Sequence, residues 1–379
     1  MTTARYVIIG AGFAGAATAY HLARRGAKEI LILEQEVMAG VHSSGRNAAM
    51  VRQVVPDPLI MALAREGGAF LRNLPTDWPV PVSFQQNGSL LLGGGETWKK
   101  LSRDAEAARQ TGIEAELWSP EKAKEHVAVL KDSAFDGAVW CPTDGVVDIH
   151  ALLSGFLKSA THAGTEIRYG CALRGIEVTN GHVTGVVTED GVLKTDVVIN
   201  AAGAWAGGIG KMAGAVEAPL RPCRRHLFFT PPLSWVDRSW PFVWDATHEV
   251  YFRPESGGLL LCPCDQEEMA PGIPPTDNSV AELLAEKIKS HLPGISNVSI
   301  KSVSAGLRTL SPDGRFVIGW DPKVQGFFWA AGLGGHGVTA SSSIGALAAK
   351  LIIEGESGDA EVFSPKRFLT LAGQKSQEF

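Results

Sequence analysis

The sequence has few cysteines, no excess of positive charge and only one long apolar run, and each shortage excludes a class of protein. Its 379 residues include five cysteines, an odd and low number that argues against a disulfide framework and fits a reducing compartment. The formal net charge of -5 at pH 7 argues against nucleic-acid binding, which requires a basic face. The apolar run at 6–23 contains regularly spaced glycines, and no later run matches its length. We therefore expect no targeting segment, no membrane span and a cytoplasmic protein.

Metal binding is also not expected. Cys262 and Cys264 form a C-x-C pair, but no second cysteine or histidine pair accompanies them, so a zinc site is not predicted.

Hydrophobic residues make up 45% and charged residues 20% of the chain, as in ordinary globular proteins. The length suggests two domains or one large interleaved pair.

A dinucleotide-binding turn lies near the start of the chain. Residues 5–10 read as a buried strand, 14–25 as a helix and 29–34 as a second strand. The turn between the first strand and the helix carries Gly10, Gly12 and Gly15 in the pattern G-x-G-x-x-G, and Glu34 ends the second strand. Such glycines allow a pyrophosphate to approach the helix N-terminus, and the acidic residue can accept a hydrogen bond from a ribose hydroxyl.

A second glycine pattern occurs near the end of the chain. Residues 326–352 read as a strand, a loop with Gly332, Gly334 and Gly337, and a helix over 338–352. Too few residues follow for a second dinucleotide site. The loop instead directs a helix N-terminus at a group that becomes negative, such as a reduced flavin, and the helix dipole favours that charge.

The pieces that look nucleotide-binding are separated along the chain. We predict a Rossmann-like domain built from 1–50, 141–215 and 301–379, and a second domain of mixed β-sheet built from 51–140 and 216–300. The predicted fold class is therefore α/β and α+β, with a discontinuous nucleotide-binding domain and an interleaved substrate domain.

Several motifs in this order resemble the D-amino-acid oxidase-like flavoenzymes, which include glycine oxidase, sarcosine oxidase and D-amino-acid dehydrogenases. The motifs are the first glycine turn with Glu34, HSSGRNAAM (42–50), VVINAAGAW (197–205), AGLRTLSPDG (305–314) and GLGGHGVTASSSIG (332–345). The resemblance implies noncovalent FAD, since covalent relatives carry a cysteine at the position of Gly306. The cofactor-binding residues it implies are Gly10, Gly12, Phe13, Ala14, Gly15, Glu34, Gln35, Ser43, Ser44, Arg46, Asn47, Ala48, Ala49, Leu173, Ala202, Gly203, Trp205, Gly306, Gly332, Gly334, Gly335, His336, Gly337, Val338 and Thr339.

The resemblance also implies a substrate site. Arg308 would bind the substrate carboxylate through its planar guanidinium, and Tyr251 would donate a hydrogen bond to the same group. Strand alternation sends only one of Arg224 and Arg225 into the cavity, and we expect Arg225 to be the one that assists. His336 would lie near the flavin, either bonding a local backbone group or acting as a base.

Within this family the chain is similar to the D-arginine dehydrogenases but departs from them at the substrate side chain. That branch has a histidine where this chain has Met50, beside the flavin, and a glutamate in the segment matching 86–90. Asn87 and Gly88 offer no carboxylate there, so the site is not built for a cationic side chain. Arg52 is then either a solvent-exposed arginine or a group that favours an acidic substrate.

The implied activity is FAD-dependent oxidative deamination of a D-amino acid, glycine or N-alkyl glycine. A hydride would pass from the α-carbon to flavin N5, and the imino acid would hydrolyse to a 2-oxo acid. Two alternatives stay open: a 2-hydroxy-acid dehydrogenase, which needs a base near the hydroxyl, and an FAD-carrying subunit of a larger amino-acid dehydrogenase. The electron acceptor is open too, although Leu260 stands where sarcosine oxidase has a lysine for oxygen activation, which favours a dehydrogenase.

Overall fold

The computed structural model of the chain describes residues 3–355 and 358–369. The predicted ranges 1–50 and 301–379 therefore include residues 1–2, 356–357 and 370–379, which lie outside the described part.

The chain alternates short strands with helices. In chain order the strands are β1 (Tyr6–Ile9), β2 (Ile30–Leu33), β3 (Met50–Val51), β4 (Phe84–Gln85), β5 (Ser89–Gly93), β6 (Glu116–Trp118), β7 (Gly137–Cys141), β8 (Gly145–Val147), β9 (Glu166–Arg168), β10 (Gly175–Thr179), β11 (His182–Thr188), β12 (Gly191–Lys194), β13 (Val197–Asn200), β14 (Arg221–Phe229), β15 (Phe242–Asp245), β16 (Val250–Glu255), β17 (Gly258–Cys262), β18 (Glu267–Glu268), β19 (Ser302–Leu310), β20 (Val317–Trp320) and β21 (Phe327–Ala331). The α-helices are α1 (Phe13–Arg24), α2 (Pro58–Arg72), α3 (Gly95–Gln110), α4 (Pro120–His126), α5 (Ile149–His162), α6 (Ala206–Met212), α7 (Ser279–His291) and α8 (Ser341–Glu354). Among the described residues, none of these helices is both long and apolar enough to cross a membrane.

A six-stranded sheet in the order β20-β21-β13-β1-β2-β9 forms the nucleotide-binding half. Its strands pair in parallel, except that β20 runs antiparallel to β21. Tyr6 and Ile8 of β1 pack into one apolar core, while Val7 and Ile9 pack into the core on the other face. Because both faces of the sheet are covered, β1 is apolar at every position rather than alternating.

A nine-stranded sheet forms the second half, in the order β18-β14-β17-β16-β15-β5-β7-β6 with β19 also paired to β14. Phe252 on one face joins an apolar core with Leu284 and Ile288 of α7. Tyr251, one residue earlier, lies on the opposite face with Leu227, and strand alternation explains the difference. The sheet therefore keeps one face for packing and presents the other to the nucleotide-binding half.

Two small sheets complete the fold, in the orders β10-β11-β12 and β3-β8-β4. Parallel and antiparallel sheets thus occur in one chain, and their strands come from alternating segments, which confirms the predicted fold class. The division into domains stays a prediction. Strand β19 lies in the piece predicted for the nucleotide-binding domain, yet its full length pairs with β14 in the nine-stranded sheet.

Candidate active site

A cavity of about 630 Å³ lies where the two halves meet. Its lining includes Ile9, Leu33 and Ala331, at the carboxyl ends of β1, β2 and β21, together with Leu227 and Tyr251 from the nine-stranded sheet. Ligands of open parallel sheets bind outside the carboxyl ends of the strands, so this is the expected position for a dinucleotide.

The first glycine turn forms one end of the cavity. Gly10 has φ of 103°, and a Cβ there would lie 2.7 Å from the carbonyl oxygen of Ala201. A larger residue would therefore have both an unfavourable backbone conformation and a steric clash. Helix α1 follows with Gly12 at its N-cap, and the amide of Phe13 donates to Ser44 Oγ at 3.0 Å. Gly15 was predicted to bind the cofactor, but it does not line the cavity. A Cβ on Gly15 would overlap the carbonyl oxygen of Gly10, so it allows α1 to pack beneath the turn.

Glu34 presents a fixed carboxylate to the same end of the cavity. It is buried, with 8% of its surface exposed, and accepts hydrogen bonds from the amides of Ala11 at 2.8 Å and Glu36 at 3.0 Å. These bonds hold the carboxylate beside the turn, as recognition of a ribose hydroxyl requires.

The loop at 40–50 is held rigidly along the cavity wall. Asn47 donates through Nδ2 to the carbonyls of Ser43 and Ser44, and its Oδ1 accepts from the amide of Ala49. Ser43 Oγ donates to the carbonyl of Leu307 at 2.6 Å, which ties the loop to β19. A Cβ on Gly306 would overlap the backbone of Arg46, so only glycine allows this contact.

The C-terminal glycine loop closes the far side. Gly332 and Gly334 have φ of 69° and 53°, and the amide of Gly334 donates to the carbonyl of Thr309 at 3.0 Å. The predicted helix start at 338 is wrong. Helix α8 begins at Ser341, because a separate turn, closed by a bond from the Ala340 amide to the His336 carbonyl, precedes it.

Apart from Gly15, the residues predicted to bind the cofactor line this cavity. They come from distant segments, and the glycine positions give a narrow cradle that added Cβ atoms would obstruct. The arrangement fits a dinucleotide that extends from Glu34 past the first turn towards the C-terminal loop. The described residues contain no group of three or more histidine, cysteine or acidic side chains that could hold a metal ion.

The cavity also has a cationic end. Arg308 lies inside β19 and is directly opposite Cys223 of β14. Arg225 is two residues further along β14 and lines the cavity, whereas Arg224 points away and pairs with Glu267 and Asp277. Alternation along β14 explains why the two arginines separate.

Three polar groups at this end lack partners. The hydroxyl of Tyr251 and the Nε and Nη1 atoms of Arg225 are buried without a hydrogen bond. Among the described residues Arg308 forms no ion pair either. Burial raises the pKa of Tyr251 well above its usual value of 10.0, so its hydroxyl keeps the proton and can donate it to an acceptor. Buried polar groups are normally satisfied, so this cluster is prepared for a ligand that accepts hydrogen bonds.

His336 and Met50 also line the cavity. Burial, together with the neighbouring charges of Arg52 and Arg308, lowers the pKa of His336 to about 3, so its ring is neutral at pH 7. Its Nε2 atom is buried without a partner. Nε2 therefore bonds no local backbone group, and the choice between the two predicted roles of the ring stays open.

Two further residues line the cavity: Arg52, whose role the sequence left open, and Trp244, which the sequence did not single out. Arg52 is half-buried and lines the cavity, with its guanidinium carbon 4.3 Å from the ring centroid of Trp244. Trp244 pairs with Tyr251 across two strands, at a ring-centroid distance of 5.2 Å. The alternation of β15 could have indicated that Trp244 shares a face with Tyr251, but nothing in the sequence placed Arg52 against it.

Comparison with known proteins agrees with this geometry. Residues 5–351 match the family described as DAO, FAD dependent oxidoreductase. The chain is 27% identical over 370 residues to sarcosine dehydrogenase of Mus musculus mitochondria, with 93% of this chain and 40% of that protein covered. It is 27% identical over 376 residues to human mitochondrial dimethylglycine dehydrogenase, with 93% of this chain and 43% of that protein covered. The chain thus spans about two fifths of the length of these curated relatives.

Among solved structures, L-proline dehydrogenase from P. horikoshii superimposes with a TM-score of 0.88 at 26% identity, covering 97% of this chain and 98% of that chain. The family match covers most of the chain, and the cradle formed by Gly10, Gly12 and Glu34 fits the cofactor that the family uses. The chain therefore belongs to the DAO family of FAD-dependent oxidoreductases, and its cofactor is FAD.

Proposed function

We propose that the chain oxidises the α-carbon–nitrogen bond of an amino acid, giving an imino acid that water hydrolyses to a 2-oxo acid. The observation that carries this proposal is the cationic end of the FAD cavity, where Arg308 forms no ion pair with a described residue and the Tyr251 hydroxyl and two Arg225 nitrogens are buried without hydrogen bonds. When bound, FAD supplies the hydride acceptor for the reaction. The protein contributes position, orientation and charge.

Arg308 and Tyr251 are proposed to hold the substrate carboxylate. A guanidinium presents a planar fork that can meet both oxygens of a carboxylate at once, and a neutral phenol adds one more donor. Arg225 is proposed to bind the same group from the adjacent strand. Fixing the carboxylate in this way fixes the α-carbon, because the two are joined by a single bond.

The charge of the cavity is proposed to keep the substrate nitrogen unprotonated. Among the described lining residues the only carboxylate is that of Glu34, which is held at the opposite end by Ala11. The guanidinium groups of Arg52, Arg225 and Arg308 therefore disfavour a nearby ammonium. A neutral amine carries the lone pair that oxidation of the carbon–nitrogen bond requires, so no side-chain base is needed.

A hydroxy acid is a poorer match for the same cavity. Removing a hydroxyl proton calls for a base whose pKa lies near the working pH. His336, the candidate for that role, has its pKa lowered to about 3 and is a weak base at pH 7. The names of the relatives also support an amine. Sarcosine, dimethylglycine and L-proline are amino acids with an alkylated nitrogen, so we propose N-alkylated amino acids as the first substrates to test.

The test is an anaerobic screen of the purified holoprotein. Amino acids of both hands, N-alkyl amino acids, amines without a carboxylate and 2-hydroxy acids are each mixed with it, and loss of the visible absorbance of oxidised flavin is recorded. Amino acids or N-alkyl amino acids should reduce the flavin, whereas the amines should not. Reduction by 2-hydroxy acids alone would overturn the proposal.

A further inference from the structure

The substrate end of the cavity contains more positive charge than one carboxylate requires. Arg52, Arg225 and Arg308 all line it, and none forms an ion pair with any described residue. Uncompensated charge of this kind is costly in a partly buried site unless a ligand of opposite sign offsets it. One substrate carboxylate offsets only part of it.

Arg52 lies against an aromatic ring and close enough to Arg308 for the two charges to affect each other. Its guanidinium carbon lies 4.3 Å from the centroid of Trp244, and that ring lies 5.2 Å from the ring of Tyr251. This cation–π contact holds the guanidinium at the cavity wall. Arg52 forms no ion pair with a described residue, so its N–H groups can bind a carboxylate in addition to the one proposed for Arg308.

No carboxylate of the described residues forms an ion pair with Arg52. The charge of Asp144 favours the Arg52 guanidinium, but the Asp144 carboxyl already accepts hydrogen bonds from Gln53 and from Ser89 Oγ at 2.7 Å. Burial lowers the pKa of the Arg52 guanidinium, the charge of Asp144 opposes that shift and the charge of Arg308 adds to it, so the surroundings on balance disfavour the charge of Arg52. The backbone amide of Arg52 donates to Thr339 Oγ1 at 3.1 Å, so the main chain at this position is fixed.

We propose that the substrate carries a second carboxylate, which Arg52 binds while it is stacked on Trp244. This inference rests on the proposed amino-acid oxidation and names the substrate class. The second carboxylate can lie on the side chain, as in aspartate or glutamate, or on the nitrogen substituent, as in iminodiacetate. Both forms place two carboxylates within reach of the two arginine positions, and the experiment separates them.

The test compares each acid with its amide on the wild-type holoprotein. Aspartate and asparagine, glutamate and glutamine, and iminodiacetate and its monoamide form matched pairs that differ only in charge. We expect kcat/KM for the preferred acid to exceed that of its amide by about 10-fold or more, since close charge pairs contribute strongly to recognition. The pair with the largest ratio identifies whether the carboxylate lies on the side chain or on nitrogen. Amides that react as well as the acids would overturn the inference while leaving amino-acid oxidation intact.

A binding measurement makes the test independent of turnover. Unreactive succinate and butyrate are titrated into the oxidised holoprotein, and the Kd of each follows from the change in the flavin spectrum. Succinate should bind about 10-fold more tightly than butyrate, and this preference should be lost in Arg52→Gln. Equal affinities in the wild type would overturn the inference even if no substrate were found.

The matched control is Arg5→Gln. Arg5 is an exposed arginine whose guanidinium carbon lies 5.3 Å from the ring centroid of Tyr6. Its substitution therefore removes the same charge and the same type of contact as Arg52→Gln, but outside the cavity. It should keep the succinate preference. Arg52→Lys, which retains charge, should keep part of it. A change of flavin reduction potential in Arg52→Gln with unchanged ligand preference would show that Arg52 serves the flavin instead, and would overturn the inference.

Discussion

Replacing Arg308 with alanine tests the proposed substrate site most sharply. Arg308 lies within β19, opposite Cys223, and its guanidinium forms no ion pair among the described residues, so its charge is free for a ligand. Removing one partner of a buried charge pair costs about 2–5 kcal/mol. At roughly 1.4 kcal/mol for each factor of ten, Arg308→Ala should lower kcat/KM by about 30- to 5000-fold. The lower half of that range is expected, because Arg225 remains to share the carboxylate.

The assay is anaerobic flavin reduction by the preferred amino acid, with the same measurement on the amine that lacks the carboxylate. The wild type should oxidise the amine poorly, and Arg308→Ala should be no worse at it. Arg308→Lys should recover only part of the loss, because an ammonium keeps the charge but not the planar fork. FAD content should be unchanged. Near-normal kcat/KM of Arg308→Ala on the amino acid would refute the assignment.

Four further predictions follow from the same contacts. Tyr251→Phe should lower kcat/KM by about 10- to 150-fold, the effect of a hydrogen bond to a charged group. Because it also removes a buried hydroxyl that lacks a partner, it should leave the melting temperature unchanged or higher; a clear drop would show that the hydroxyl is satisfied in the protein. His336→Ala should leave the shape of the pH profile of kcat/KM intact between pH 5 and 9 (about the range in which a catalytic base would titrate), because a pKa near 3 keeps the ring neutral there; loss of a basic limb would favour the hydroxy-acid alternative. Gly15→Ala should reduce FAD content in the purified protein, since its Cβ would overlap the Gly10 carbonyl beneath the turn, and full FAD occupancy would contradict this packing argument. Acid precipitation of the wild type should release free FAD, because no cysteine stands at Gly306; flavin that stays with the precipitate would contradict noncovalent binding.

The pH dependence of turnover should follow the substrate rather than a protein base. Free amino acids are ammonium ions at neutral pH, and the proposed cavity binds the neutral amine productively. We therefore expect kcat/KM to rise with pH until the substrate nitrogen has lost its proton. Substrates whose ammonium groups differ in pKa should therefore show different midpoints in the pH profile of kcat/KM. The same midpoint for all of them would indicate that a group of the protein titrates instead.

Local motifs allowed the nucleotide-binding half to be predicted well. The glycine turn and Glu34 needed only neighbouring residues, because a single β-α-β unit, β1-α1-β2, forms that end of the cavity. The turn of the β10–β11 hairpin was recognisable for the same reason: Asn180 and Gly181 both have positive φ, 51° and 79°, which Asn-Gly adopts readily.

The substrate end could be predicted only in part. Alternation along β14 was sufficient to predict that only one of Arg224 and Arg225 enters the cavity, since period-two geometry is a local property. The contact of Arg52 with Trp244 depends on how the end of β3 meets β15, and those strands are far apart in the chain. The start of α8 was misplaced because the turn that bonds Ala340 to His336 has nearly helical geometry and no capping side chain marks the boundary.

The most direct test of the account is rapid anaerobic mixing of the holoprotein with one amino acid and, separately, with the amine that lacks its carboxylate. The central claim is that the cationic end of the FAD cavity holds a substrate carboxylate while the adjacent carbon–nitrogen bond is oxidised. The amino acid should reduce the flavin within the time of one catalytic turnover. At the same concentration, the amine should reduce it far more slowly. Equal rates for the two would contradict the claim, because the carboxylate would then contribute nothing to recognition.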